Sequence, residues 1–197
     1  MSLADRWPLA DHHALRDDLL DAWDRSGYHD LRHLEEVLDR LDLLAAAGAS
    51  FDPTLVALAA WFHDAVYDGA PDDEERSARW AERALPAAYA DGVARLVRMT
   101  ADHRPAGDDP SAAALSDADL GILAAPRERY DVYVAGVRAD FARVGDDDFR
   151  AGRAAVLRDL VGRAHLFSTP QARELWAQAA RANLERELAG LEGLSGR

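Results

Sequence analysis

An all-α fold is what this sequence predicts, on three observations. Apolar residues recur at three- and four-residue intervals along most of the chain, no segment alternates with the period of two that a half-buried strand needs, and no linker rich in Gly, Ser or Pro divides it. At 197 residues the chain is expected to form one domain, 1–197, and to bury most of its apolar side chains. The predicted loops and helix lengths are too irregular for a simple heptad bundle.

The elements follow in order. Leu15, Leu19, Leu20 and Trp23 make one apolar stripe, and Leu31, Leu34, Val37, Leu38, Leu41 and Leu44 make a second. The break between them is SGYHD, at 26–30. The second helix should end near Gly48, and Pro53 suits the first turn of a third, expected to run to about Tyr67. DGAPDD then reads as a loop. Asp72 and Glu75 have the spacing of a capping box, which would open a fourth helix running to Leu85, where Pro86 interrupts. Further helices are expected over 89–100, 111–124, 127–144, 147–165 and 171–191, with the tail GLEGLSGR frayed.

Composition narrows the function. The net charge is −13, from 36 acids against 23 bases, and its field repels phosphate backbones and anionic lipid. No stable nucleic-acid or membrane partner is expected, so an anionic ligand has to be held by local features such as a metal. Cysteine is absent, which excludes disulfides, thiolate zinc sites and cysteine nucleophiles. Lysine is absent too, which removes Schiff-base chemistry and a P-loop lysine. The N-terminal MSLADRWPLADHH has early acids and no apolar stretch of the signal-peptide kind. The longest apolar run, LVALAAWF at 55–62, is far short of the roughly 20 residues that cross a bilayer. A cytoplasmic location is therefore expected.

The chemistry lies with the histidines and a few acids. His63-Asp64 follows directly on that apolar run, and a buried carboxylate is costly unless paired or bound to a cation. The alternative is a helix C-terminus where the imidazole caps carbonyls and the aspartate faces water. His33 is one step from the buried Leu34 and can turn towards His63. His29 lies four residues before it, at or before the helix start, and reads by itself as a capping or solvent-facing residue. Downstream, RMTADHRP offers His103, and ALSDADLGIL offers Asp117 and Asp119 inside an apolar stretch. There the alternative is that Ser116 or Asp117 caps a helix whose first turn holds Asp119. His12, His13 and His165 read as surface or helix-end residues. Two imidazoles and two carboxylates from separate helices form a mixed N/O set suited to Zn, Mn, Fe, Co, Ni or Mg.

In this order the residues resemble a known family. His33, His63-Asp64 and DADL at 117–120 resemble the H…HD…D signature of the HD superfamily of metal-dependent phosphohydrolases. GYHDLRHLEEVL, WFHDAVYD, DDEERSA, RMTADH and LSDADLGIL are similar to successive motifs of its small bacterial predicted phosphohydrolases, over about 28–123. The resemblance implies an irregular helical HD-domain fold with helical N- and C-terminal extensions. It also implies one divalent ion (Mn, Co, Ni, Fe, Zn or Mg) on His33, His63, Asp64 and Asp119, with Asp117 the alternative last ligand. Asp68 matches an acid that orients the attacking water, although Tyr67 stands where a Glu often precedes it. Glu74 and Ser77 match a further part of the pattern, and Asp73 stands where Asn is expected; helix capping and solvent-facing roles remain their alternative. With His29, Arg76, His103 and Arg104 they are the candidates for substrate contact. The implied activity is hydrolysis of a phosphoester in a nucleotide or other small phosphorylated metabolite. A catalytically silent metal- and nucleotide-binding module is the alternative, and a helical protein whose His-Asp cluster is only a satisfied polar network is a third. The helices over about 127–191 are expected to cover the core or to form homodimer contacts.

Overall fold

The computed structural model describes residues 2–194 and is all-helical, with nine α-helices and no strand among the described residues. These are α1 (His13–Trp23), α2 (Leu31–Ala46), α3 (Pro53–Phe62), α4 (Asp73–Ala84), α5 (Ala87–Met99), α6 (Pro110–Leu120), α7 (Arg127–Asp140), α8 (Asp146–Gly162) and α9 (Pro170–Leu194). Short 3-10 turns cover Leu3–Arg6 and Gly121–Ala124. None of these helices is long and apolar enough to cross a membrane.

α3 is the centre of the packing. It is apolar on every side, as a helix surrounded by others must be, and it touches α2, α4, α5 and α6. Val56, Leu58, Ala59, Ala60, Trp61 and Phe62 are all fully buried. The start is well specified: Pro53 occupies the first turn and Asp52 accepts the Leu55 N–H at 2.9 Å. α2 and α6 start alike, with Asp30 capping the His33 N–H and Asp109 capping the Ala112 N–H, each at 3.0 Å. Trp23 brings α1 onto this centre by donating its indole N–H to the Trp61 carbonyl at 2.9 Å. Buried apolar side chains from Trp7 to Leu184 make one connected cluster.

Several boundaries differ from the expected ones, most of them for a visible reason. α3 stops at Phe62, not near Tyr67, because the His63 imidazole itself takes the Ala60 carbonyl (Nδ1 to O, 2.7 Å) that the next helical N–H would have used. The capping box at the start of α4 does not form. Asp72 makes no cap bond, and Glu75 bonds to Arg79 and Arg98. The buried carboxylate of Asp73 instead accepts the N–H groups of Asp68 and Ala70, at 2.9 Å each, and so folds the preceding loop. α6 ends at Leu120 and tightens into the 3-10 turn. Asn183 of α9 donates to the Leu123 and Ala125 carbonyls there, at 2.9 Å each. α7 ends at Asp140, where Arg138 takes the carbonyls of Phe141 and Val144 that follow. α8 ends at Gly162 instead of His165. The tail expected to fray is helical through Leu194, and the rest of that expectation, 195–197, lies outside the described residues.

A packing prediction follows. Truncating the fully buried Leu58 to Ala should lower the unfolding free energy by about 3 kcal/mol. Leu43→Ala, on the exposed side of α2, should change it by less than about 0.5 kcal/mol. Urea denaturation of the two variants against the parent checks both values.

Candidate metal centre

Three helices bring the centre together. His33 stands in the first turn of α2, His63 and Asp64 follow the last residue of α3, and Asp119 lies in the last turn of α6. Both imidazoles are buried. His33 Nε2 lies 3.1 Å from His63 Nε2, 3.6 Å from Asp64 Oδ2 and 3.2 Å from Asp119 Oδ1. His63 Nε2 lies 3.3 Å from Asp64 Oδ2 and 3.9 Å from Asp119 Oδ1. A tetrahedron with bonds of about 2.1 Å has edges of about 3.4 Å, so the separations among His33, His63 and Asp64 are compatible with ligands around one ion. His33, His63 and Asp64 form a group able to hold a metal, with ligand atoms all within 4.8 Å of one another. Asp119 approaches the same two nitrogens.

Donor chemistry fits as well. His63 Nδ1–H donates to the Ala60 carbonyl, so in the neutral ring the lone pair sits on Nε2 and faces the cluster. His33 Nδ1 is buried and bonded to nothing among the described residues, so the groups facing Nε2 orient that ring. Burial works to lower the His33 pKa, but its bonds to Asp119 and Asp64 prevail and raise it to about 9. Burial likewise works to raise Asp64 and Asp119. The surrounding imidazoles prevail again, with His63 and His33 acting on both, His29 on Asp64 and His103 on Asp119, and they hold both carboxylates well below the usual range.

Asp117, the alternative last ligand, is turned elsewhere. Its fully buried carboxylate accepts Ser168 N–H, Thr169 N–H and the Thr169 hydroxyl, each at 2.7 Å, and ties α6 to the start of α9. The proposed capping role for Ser116 or Asp117 does not occur, because α6 starts at Pro110 and Asp119 is in its last turn.

The remaining candidates divide by location. His29 neither caps α2, a role Asp30 fills, nor faces solvent. Its Nδ1 lies 2.7 Å from Asp140 Oδ2, its ring stacks on Tyr67 at 3.9 Å, and its Nε2 is 4.0 Å from Asp64 Oδ2. His103 approaches from the other side, Nε2 3.4 Å from Asp119 Oδ2, on a backbone with φ of +52° that side chains rarely adopt. Arg163, the residue after α8, clamps that strained loop by donating to the Asp102 and His103 carbonyls, at 3.1 Å each. Arg104 is exposed and pairs with Asp159.

Glu74 is half-buried, and burial, with Asp64 and Asp73 adding to it, raises its pKa. Ser77 Oγ accepts the Val66 N–H at 3.0 Å and so pins the loop after the doublet. Asp68 is 64% exposed and its carboxylate pairs with Arg76 at 2.7 Å, turned away from the cluster to solvent. Arg76 also bonds Asp73 at 3.0 Å. His12, His13 and His165 are exposed.

Beside the cluster lies a cleft of about 640 Å³. His29, His103 and Asp119 line its inner side, and α7, Phe141 just after it, and α8 supply the opposite wall, including Tyr133 and Arg153. Sequence reasoning missed that wall, and it missed Arg25, whose guanidinium binds the carbonyls of Ala22, His29 and Asp64 and joins the SGYHD loop to the doublet. An arginine in a polar loop carries no local signal of such a role, and neither does an aspartate 111 residues from its histidine.

No family model, curated protein or solved structure matches this chain.

The electrostatics predict two limbs in the pH dependence of the metal-free protein. The His33 contribution to stability is fully present below its ordinary pKa of 6.5 and is lost as pH rises through about 9. The contributions of Asp64 and Asp119 are present above their ordinary 3.8 and are lost on acidification. Urea midpoints measured with a chelator present should therefore fall between about pH 7 and pH 10, and His33→Ala should remove that alkaline limb.

Proposed function

We propose that this protein is a metal-dependent phosphohydrolase of the HD type, acting on a phosphoester of a nucleotide or another small phosphorylated metabolite. One observation carries the reading. His33, His63 and Asp64 form a group able to hold a metal, and Asp119, 3.2 Å from His33 Nε2, lines a cleft large enough for such a molecule.

The four residues would hold one divalent ion, drawn from Mn, Co, Ni, Fe, Zn and Mg. When bound, such an ion acidifies a coordinated water and offsets charge on a phosphoryl oxygen. This gives a protein of net charge −13 a local means of attracting an anion that its overall field repels. The rest is the work of this chain's own groups. His103, held by the Arg163 clamp at the inner side of the cleft, would donate to a phosphoryl oxygen. Arg104 stands at the same side of the cleft, where its charge favours a phosphate-bearing ligand. The α7 and α8 wall supplies apolar surface against which the leaving group can pack.

The second reading is a metal- and nucleotide-binding module without turnover. It draws support from Asp68, the residue expected to orient water, whose carboxylate is exposed and paired with Arg76. A phosphatase screen of nucleotides and sugar phosphates across Mn, Co, Ni, Zn and Mg separates the two. The enzyme reading expects metal-dependent turnover that falls at least about 100-fold in both His63→Ala and Asp64→Ala. Tight nucleotide binding with no turnover on any substrate would select the silent module, and equal turnover in parent and variants would remove the cluster from the chemistry.

A further inference from the structure

If the protein is a phosphohydrolase, a water must be aligned for attack beside the cluster, and an accepting group must align it. Asp68 turns its carboxylate to solvent and Arg76. Three groups at the cluster also line the cleft: Asp119 is among the candidate metal ligands, His103 faces Asp119 from the far side, and His29 approaches Asp64. The His29 ring is held by neighbours on the sides away from the cleft. Tyr67 stacks on one face at 3.9 Å and 25°, and Tyr28 meets it edge-on at 4.9 Å. Arg25 holds the His29 carbonyl.

The tautomer is fixed as well. Asp140, at the end of α7, has its carboxylate 4% exposed and only 2.7 Å from His29 Nδ1. A carboxylate can only accept there, so Nδ1 carries the hydrogen, and in the neutral ring Nε2 keeps the lone pair. The same carboxylate receives the Tyr28 N–H at 3.2 Å. The chain wraps this closely around Asp140 because residue 27 is glycine. Its φ is +112°, and a Cβ there would lie 1.6 Å from Asp140 Oδ1. A loop folded around a carboxylate that lies more than a hundred positions along the chain orients one imidazole nitrogen. That nitrogen, Nε2, is 4.0 Å from Asp64 Oδ2. The gap is too long for a hydrogen bond, and one water oxygen can reach both atoms across it.

We propose that His29 Nε2 accepts a hydrogen bond from the attacking water and aligns it with the phosphoryl group, and that Asp140 is the positioning residue that fixes His29 in the accepting tautomer. This rests on the phosphohydrolase reading. It gives α7, outside the segment that carries the metal ligands, a part in the reaction.

The test has two parts, one of them independent of turnover. Nitrogen NMR of the imidazoles in the metal-free parent should show His29 protonated at Nδ1, and Asp140→Asn should convert it to a mixture of tautomers. A parent His29 protonated at Nε2 alone overturns the proposal. In metal-loaded enzyme, His29→Gln should lower kcat about 100-fold and Asp140→Asn about 10-fold or more, with substrate KM and metal affinity within about threefold. Asp140→Glu should recover part of the loss, and the fall for His29→Gln should exceed that for Asp68→Asn. Should Asp140→Asn fail to fold, the His29→Gln kinetics and the parent spectrum still decide. An active parent whose His29→Gln variant keeps its kcat, or loses only metal affinity, overturns the alignment role alone. A parent inactive on every substrate overturns the phosphohydrolase reading and the alignment role together.

Discussion

The bond from His63 Nδ1 to the Ala60 carbonyl, 2.7 Å long, is the contact on which the centre depends. It does two things at once. By occupying the carbonyl that Asp64 N–H would otherwise take, it ends α3 at Phe62 and lets the chain turn, so that Asp64 leaves the helix beside His63 instead of continuing around it. By holding the Nδ1 hydrogen, it leaves Nε2 free to face His33 and the two carboxylates. Helix termination and ligand presentation are therefore one interaction. The apolar α3 gives it rigidity, because a helix packed on all sides cannot rotate without opening cavities among Leu58, Trp61 and Phe62.

The second half of the chain acts through a few buried polar bonds at element ends. Asp117 receives three hydrogens from Ser168 and Thr169, and Thr169 Oγ1 in turn caps the Ala172 N–H of α9 at 3.1 Å. Asn183, the one asparagine of the chain, satisfies two carbonyls after α6. Arg153 and Glu187, both nearly buried, join α8 to α9, with Arg153 also reaching the Tyr133 hydroxyl at 3.0 Å. Left unpaired, each of these groups would cost about 1–3 kcal/mol. They hold α7 and α8 in place as the outer wall of the cleft, so the C-terminal helices cover the core and also shape the cavity.

Residues close in sequence can have separate roles here. Asp117 and Asp119 lie two apart on α6, yet one carries a structural network and the other faces two imidazoles, because a step of two on a helix turns the side chain by roughly 200°. Asp72 and Glu75 have capping-box spacing, but Arg79 and Arg98 offered Glu75 charged partners and Asp73 found two loop N–H groups. Spacing permits a capping box, and tertiary neighbours decide whether it forms.

The all-helical class and most helix starts are legible in the sequence alone, and His33, His63, Asp64 and Asp119 are singled out there by their resemblance to the H…HD…D signature. The class and the starts follow from local physics: three- and four-residue apolar spacing, Asp at N-caps and Pro in first turns. Which of Asp117 and Asp119 faces the histidines, where α3 ends, and how the loop after the doublet folds were decided by the tertiary structure. So was the outer wall of the cleft, along with the pairing of His29 with Asp140. Those features depend on hydrogen bonds between residues far apart in the chain, such as the 111 positions between His29 and Asp140, and no local pattern records a partner that only the folded chain brings within reach.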